Sequence, residues 1–128
     1  MIDASALLEV LLPTRPAGPA MRRIFESTDS LHAPYLLDLE VTQALRRYAR
    51  SGQVSNDRCR VALEDLRELP LIRYPHDILL PRIWELRDSL TAYDAAYVAL
   101  AEALDASLVT RDERIAAARG HRARIELV

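Results

Sequence analysis

Thr91-Ala92-Tyr93-Asp94-Ala95-Ala96-Tyr97-Val98-Ala99-Leu100-Ala101-Glu102-Ala103-Leu104 is followed, past Asp105 and Ala106, by Ser107-Leu108-Val109-Thr110-Arg111-Asp112. The first part is Ala-rich and carries Tyr93, Tyr97, Leu100 and Leu104 on one side of a helix, with Thr91 and Asp94 in the pattern of a capping box. In the second part, Ser107 to Thr110 reads as a short strand, and Asp112 can cap a helix over Glu113 to Ala118. A strand lying between helices must reach its neighbours by crossover connections. That order predicts a parallel sheet covered by helices.

The rest of the chain repeats the alternation. Met1-Ile2 is the stub of a first strand, Ser5 to Leu12 a helix, and Pro13 to Pro19 a loop broken by Pro13, Pro16, Gly18 and Pro19. Ala20 to Glu26 reads as a short helix and Leu31-His32-Ala33, before Pro34, as a strand. Leu37, Val41, Ala44, Leu45 and Tyr48 recur at helical spacing up to Gly52. Ser55 can cap the next helix, which carries Val61, Ala62, Leu66 and Leu69. Leu71-Ile72-Arg73-Tyr74 is a strand between Pro70 and Pro75, Ile78 to Leu86 a helix, and Ile125 to Val128 a last strand. Repeats, low-complexity segments and linkers are absent, so residues 1–128 read as one α/β domain. The pattern leaves strand order open.

Composition narrows the class. Half of the 128 residues are hydrophobic, which argues against disorder, and the longest apolar runs fall far short of a membrane span. Cys59 is the single cysteine, so an internal disulfide is impossible; with no zinc-type Cys/His spacing and no signal peptide, the cytoplasm is the expected compartment. All 17 basic residues are Arg, against 19 acids, for a net charge of -2. GC-rich codon usage accounts for the missing Lys better than nucleic-acid binding does, so binding to RNA or DNA has to rest on local patches.

Four acids, Asp3, Glu40, Asp94 and Asp112, each stand where an apolar stretch or turn gives way to a helix. In a parallel sheet, strand ends and helix starts share one edge, where ligand sites form. Each acid also has an ordinary reading. Asp94 completes a capping box, Glu40 in a first turn complements the helix dipole, and Asp112 and Asp3 can cap. Two points favour more. Asp94 shares a stripe with Val98 and Ala101 and so faces partly buried surface, and Asp3 follows a strand so directly that a cap is better placed a residue or two later. Buried carboxylates need partners, and the nearby sequence offers no obvious one for either Asp3 or Asp94. A cluster of such acids suits a hard divalent cation.

At these residues the chain resembles the PIN-domain family. Met1-Ile2-Asp3-Ala4-Ser5-Ala6-Leu7 resembles its opening motif, although the family strand before that Asp is longer. Ala33-Pro34 with Leu37-Asp38-Leu39-Glu40 and Ala44-Leu45-Arg46-Arg47 resembles the second motif, Leu90 to Ala101 the third, and Leu108-Val109-Thr110-Arg111-Asp112 the fourth. The motifs come in order over essentially the whole chain, most like the VapC-type toxins of bacterial toxin–antitoxin pairs. The resemblance implies a three-layer α/β/α fold with a central parallel sheet of about five short strands. It also implies a Mg2+ or Mn2+ site on Asp3, Glu40, Asp94 and Asp112, supported by the hydroxyls of Ser5 and Thr110. The implied activity is endoribonuclease cleavage of tRNA or rRNA, inhibiting translation, under control of a cognate VapB-type antitoxin, in a homodimer. Asp38, an extra acid two residues before Glu40, reads as a helix N-cap, with the role given to Glu40 as its alternative.

Hydrolysis of a phosphodiester needs an activated water, in-line attack and a stabilised leaving oxygen; one or two bound cations supply these without a histidine base. His32, His76 and His121 therefore read as surface or turn residues. Arg111, Arg114, Arg119, Arg122 and Arg124, and separately Arg46, Arg47 and Arg50, form basic stretches; Arg111, Arg114 and Arg46 are the candidate phosphate contacts. Leu36, Leu39, Leu45 and Tyr48, with Val61, Leu63 and Leu66, are candidates for an antitoxin groove, though core packing explains most of them, and Trp84 reads as core or dimer contact. Rival functions are a non-catalytic PIN-like interaction module, a PIN nuclease of RNA processing, and a DNA nuclease. A dehalogenase-type phosphoaspartate site wants an Asp where Ser5 stands, and a receiver domain wants a Lys that the chain lacks.

Overall fold

The computed structural model describes residues 1–13, 18–25 and 30–128. In chain order its elements are α1 (Ala4–Leu11), α2 (Pro19–Phe25), β1 (Leu31–Pro34), α3 (Leu36–Ser51), α4 (Asn56–Glu68), β2 (Leu71–Tyr74), a 3-10 turn (Asp77–Leu79), α5 (Leu80–Glu85), α6 (Ala92–Ala103), β3 (Leu108–Thr110), α7 (Glu113–Ala117) and β4 (Ile125–Leu127). The expected order of strands and helices is met. Most of the loop expected over Pro13 to Pro19, and Glu26 at the expected end of α2, lie outside the described residues. Pro19 is the first residue of α2 rather than a loop breaker; a helix start has no use for the N–H that proline lacks. The helix expected over Ile78 to Leu86 splits into the 3-10 turn and α5, because Pro81 fits only in the first turn of an α-helix.

All strand pairs are parallel. β1 pairs with β2, Leu31 opposite Leu71 and Pro34 opposite Tyr74, and β3 pairs with β4, Leu108 opposite Ile125 and Thr110 opposite Leu127. The amino-terminal residues join the two pairs. Ile2 bridges Val109 in parallel, the Ile2 amide donates to the His32 carbonyl at 3.1 Å, and the Val109 amide donates to the Met1 carbonyl at 2.9 Å. The order is therefore β2-β1-Met1/Ile2-β3-β4, with the chain's start in the middle. All three residues of β3 are buried. Successive strand residues face opposite ways, so both faces of the sheet are covered there.

α6 packs against β1 and β3, α1 against β3, α3 and α4, and α5 against α6. Residues Ala95 to Ala101 are all buried, which makes α6 a central helix rather than a surface one. Tyr97 and Leu100 follow the expected apolar side, whereas Tyr93, in the first turn of α6, is 67% exposed. Trp84 is not core: it is 68% exposed, with the Arg87 guanidinium 4.7 Å over its ring. His32 lies inside β1, half-buried and bonded to the Tyr74 hydroxyl at 2.8 Å, not in a turn.

Candidate active site

Because the strands are parallel, their carboxyl ends meet at one edge, and Asp3, Glu40, Asp94 and Asp112 all line a single open cleft of about 1170 Å3 there. Asp3 follows the central Ile2, Glu40 lies on α3 after β1, Asp94 is in the first turn of α6, and Asp112 follows β3.

Asp3 is buried and is itself the N-cap of α1: Oδ1 accepts from the Ala6 amide at 2.9 Å and the Ser5 hydroxyl at 2.7 Å, and Oδ2 from the Thr110 hydroxyl. The expectation of a later cap and of a carboxylate without partners is corrected. Two of its partners, the Ser5 hydroxyl and the Ala6 amide, are local after all, and the third, Thr110, comes from β3. Both hydroxyls are fixed in turn, Ser5 Oγ accepting from the Arg111 amide at 2.8 Å and Thr110 Oγ1 from the Asp112 amide at 2.9 Å. Burial still pushes the Asp3 carboxyl above its ordinary pKa, and these hydrogen bonds offset only part of that.

α3 begins at Leu36, so Glu40 lies beyond the first turn and the dipole reading fails. Its Oε2 accepts from the Tyr97 hydroxyl of α6 at 2.5 Å. Burial raises the Glu40 pKa, and the negative charges of Asp94 and Asp3 add to it, against the lowering effect of the Tyr97 bond. Glu40 in turn helps burial drive the Tyr97 phenol far above its usual value. Asp94 is half-buried and makes half of the expected capping box: its amide donates to Thr91 Oγ1 at 3.1 Å, but its Oδ2 accepts from that same hydroxyl at 2.8 Å rather than from the Thr91 amide. The Thr91 hydroxyl thus caps α6 and holds the Asp94 carboxylate, which lines the cleft.

Asp112 differs. It caps α7 through the Arg114 amide at 2.8 Å, and the Arg114 guanidinium forks onto both its oxygens, which holds its pKa below the ordinary carboxylate range. Asp38 is neither the N-cap of α3 nor a rival to Glu40: it forks with Arg73 of β2 at 2.7 and 2.9 Å, away from the cleft.

Among the described residues, no three His, Cys, Asp or Glu side chains stand close enough to hold a metal as they are placed. The donor set nonetheless suits a hard divalent cation. Asp3 and Glu40 face the same cleft with only hydroxyl and amide donors as described partners, and with each other's charge unrelieved.

Arg111, 3.3 Å from Glu9, and Arg114 line the cleft, but the exposed Arg46 does not. Its neighbour Arg47 does, since Glu40, Ala44 and Arg47 share the helix face that adjacent residues cannot. Leu36, Leu39 and Tyr48 also line the cleft, while Leu45 and Leu66 are core, and Val61 and Leu63 lie off it. Tyr97 was legible only as part of an apolar stripe, and no sequence signal pointed to Arg58, which lines the cleft with its Nη2 on the Leu11 carbonyl.

A family model described as "PIN domain" matches residues 1–120. The chain is 43% identical over 129 residues to "Ribonuclease VapC1" of Mycobacterium tuberculosis, an alignment covering 100% of this chain and 96% of that one. It is 40% identical over 128 residues to "Ribonuclease VapC12" of the same organism, covering 100% and 98%. Its structure is similar to the crystal structure of PAE2754 from Pyrobaculum aerophilum, with a TM-score of 0.67 and 27% identity over 97% of this chain and 80% of that one. With the family model matched from the first residue through α7 and relatives aligned from end to end, the chain belongs to the PIN-domain family.

Proposed function

We propose that this chain is a divalent-metal-dependent endoribonuclease of the VapC toxin kind, with residues 1–128 forming one catalytic domain. The observation that carries this reading is the meeting of Asp3, Glu40 and Asp94 in one cleft, two of them with raised pKa values and no cationic partner among the described residues. The relatives' names give the substrate class, RNA, and imply a VapB-type antitoxin. A homodimer, a cytoplasmic location, tRNA or rRNA as target and Mg2+ with Mn2+ as substitute complete the proposal. No helix among the described residues is long and apolar enough to cross a membrane.

Asp3, Glu40 and Asp94 would hold the cation, with Asp112 joining once Arg114 releases it. A cation held there would supply a lowered pKa for bound water and charge stabilisation at the phosphoryl group. The chain's own residues do the rest. Ser5 and Thr110 lock the Asp3 carboxylate in place, and Thr91 does the same for Asp94. Tyr97 occupies Oε2 of Glu40, leaving Oε1 to orient the attacking water. Arg111 and Arg114 lie where they can meet substrate phosphates.

The test is incubation of purified, antitoxin-free protein with total RNA, with Mg2+ or Mn2+ and with EDTA, beside Asp94→Asn. Discrete cleavage that needs the metal, and falls by roughly a hundredfold or more in the variant, is expected. Equal behaviour of folded wild type and variant under every metal condition would return the acids to helix capping, and the chain to the interaction-module reading.

A further inference from the structure

An exposed aromatic ring is ordinary on a protein surface, but Tyr93 combines several less ordinary properties. It is 67% exposed, directly precedes Asp94, and lines the cleft that holds the four acids. Neither its ring nor its hydroxyl has a partner among the described residues, so it does nothing visible for the fold. Cations share its cleft. Arg47 is exposed with no acid partner among the described residues, and the Arg111 side chain is 53% open despite Glu9. Trp84 is equally exposed but lies off the cleft under the Arg87 guanidinium.

We propose that Tyr93 is a stacking platform for an unpaired base beside the scissile phosphate of single-stranded RNA. The proposal rests on the nuclease reading. Tyr93 and Asp94 line the same cleft, so the ring lies within reach of nucleotides flanking a phosphate held at the acids. Bases in a duplex already spend both faces on their neighbours, whereas an unpaired base has a face free for a phenol ring. Every base has such a face, so the ring favours single strands without reading sequence. Arg47 and Arg111 supply the complementary contact to the flanking phosphates.

Binding without cleavage separates this idea from the nuclease reading. In a Glu40→Gln background, which keeps an acceptor for Tyr97, a short single-stranded RNA carrying a fluorescent adenine analogue is titrated against Tyr93, Tyr93→Phe, Tyr93→Leu and Tyr93→Ala proteins, and again as a duplex. The expected result is quenching and unchanged affinity with Phe, and lost quenching with roughly fivefold or more weaker binding with Leu and Ala. Single strands should bind better than duplex. Leu matching Tyr, Ala binding as tightly as the parent, equal duplex affinity or no RNA binding would each overturn the proposal; a ring that only a protein partner covers would give the silent Ala. If metal-dependent cleavage by the unsubstituted protein persists alongside a silent Tyr93→Leu, the stacking role fails and the nuclease reading stands.

Discussion

Asp3 has both carboxylate oxygens occupied by donors and is buried with no cation described beside it. Its charge is a burden on the metal-free fold, since burial disfavours the ionised form. Asn caps helices about as well as Asp. Asp3→Asn keeps the cap acceptor but sets an NH2 donor against the Thr110 hydroxyl, so relief of the buried charge and loss of one acceptor offset each other: the metal-free melting temperature should change little while RNA cleavage falls by roughly a hundredfold or more. A variant less stable than wild type would show that the carboxylate is structural. Tyr97 makes the converse case. Its hydroxyl is the one described partner of the Glu40 carboxylate, so Tyr97→Phe leaves a half-buried acceptor unpaired and should cost about 1–2 kcal/mol. Urea denaturation checks this; an unshifted midpoint would mean the bond is not made in solution.

Among the elements, α6 is held at both ends. At its start Thr91 and Asp94 close the cap; near its end the Glu102 carboxylate takes Arg82 of α5 at 2.8 and 3.0 Å and the Arg122 amide at 2.9 Å, while Arg82 also reaches the Gly120 carbonyl. α5, α6 and the segment after α7 are thereby tied together. The side chain of Glu102 is nearly buried, whereas that of Arg82 is 32% exposed, so solvent screens part of the attraction. Glu102→Gln should cost about 1–2 kcal/mol at neutral pH. Arg82 holds the Glu102 pKa below its ordinary value. Its stabilisation is then present above the unfolded-state pKa and is lost as pH falls through the lower folded-state value. The wild-type melting temperature should drop across that acid window, and the Gln variant's should drop less. Equal acid limbs would assign the loss to other carboxylates.

On the scale of the whole molecule, the sheet depends on its first residues. Ile2 is fully buried between β1 and β3 and connects the two strand pairs. Ile2→Ala removes buried methyls where neither neighbouring strand can collapse inward, and should cost about 2–4 kcal/mol by denaturant unfolding. It should also lower cleavage, because Asp3 is the next residue and its amide is pinned to the Val109 carbonyl at 3.1 Å. A loss of stability with full activity would show that the Asp3 cap alone holds the site.

Local chemistry in the sequence was enough for the order of strands and helices and for the Thr91 cap of α6, because periodicity and caps act within a few residues of one another; the four acids stood as one set only through the resemblance to a family, since they are spread from residue 3 to residue 112. Local chemistry misplaced what depends on distant residues. Asp38 was taken for a cap because Arg73, its partner, lies on a strand 35 residues further on; the partners of Asp3 were only half legible, since Ser5 and the Ala6 amide are local but Thr110 lies at the far end of the chain; and Tyr97 passed as apolar filling because Glu40 is on another helix. Strand order was open for the same reason, since each strand's pattern records that it is buried but not beside which neighbour. The tertiary structure alone puts Met1 and Ile2 at the centre of the sheet and exposes Tyr93 beside Asp94, because these follow from how strands and helices pack, which no local spacing encodes; that Arg47 rather than Arg46 shares a face with Glu40 was legible in helical spacing once Glu40 was placed in the cleft.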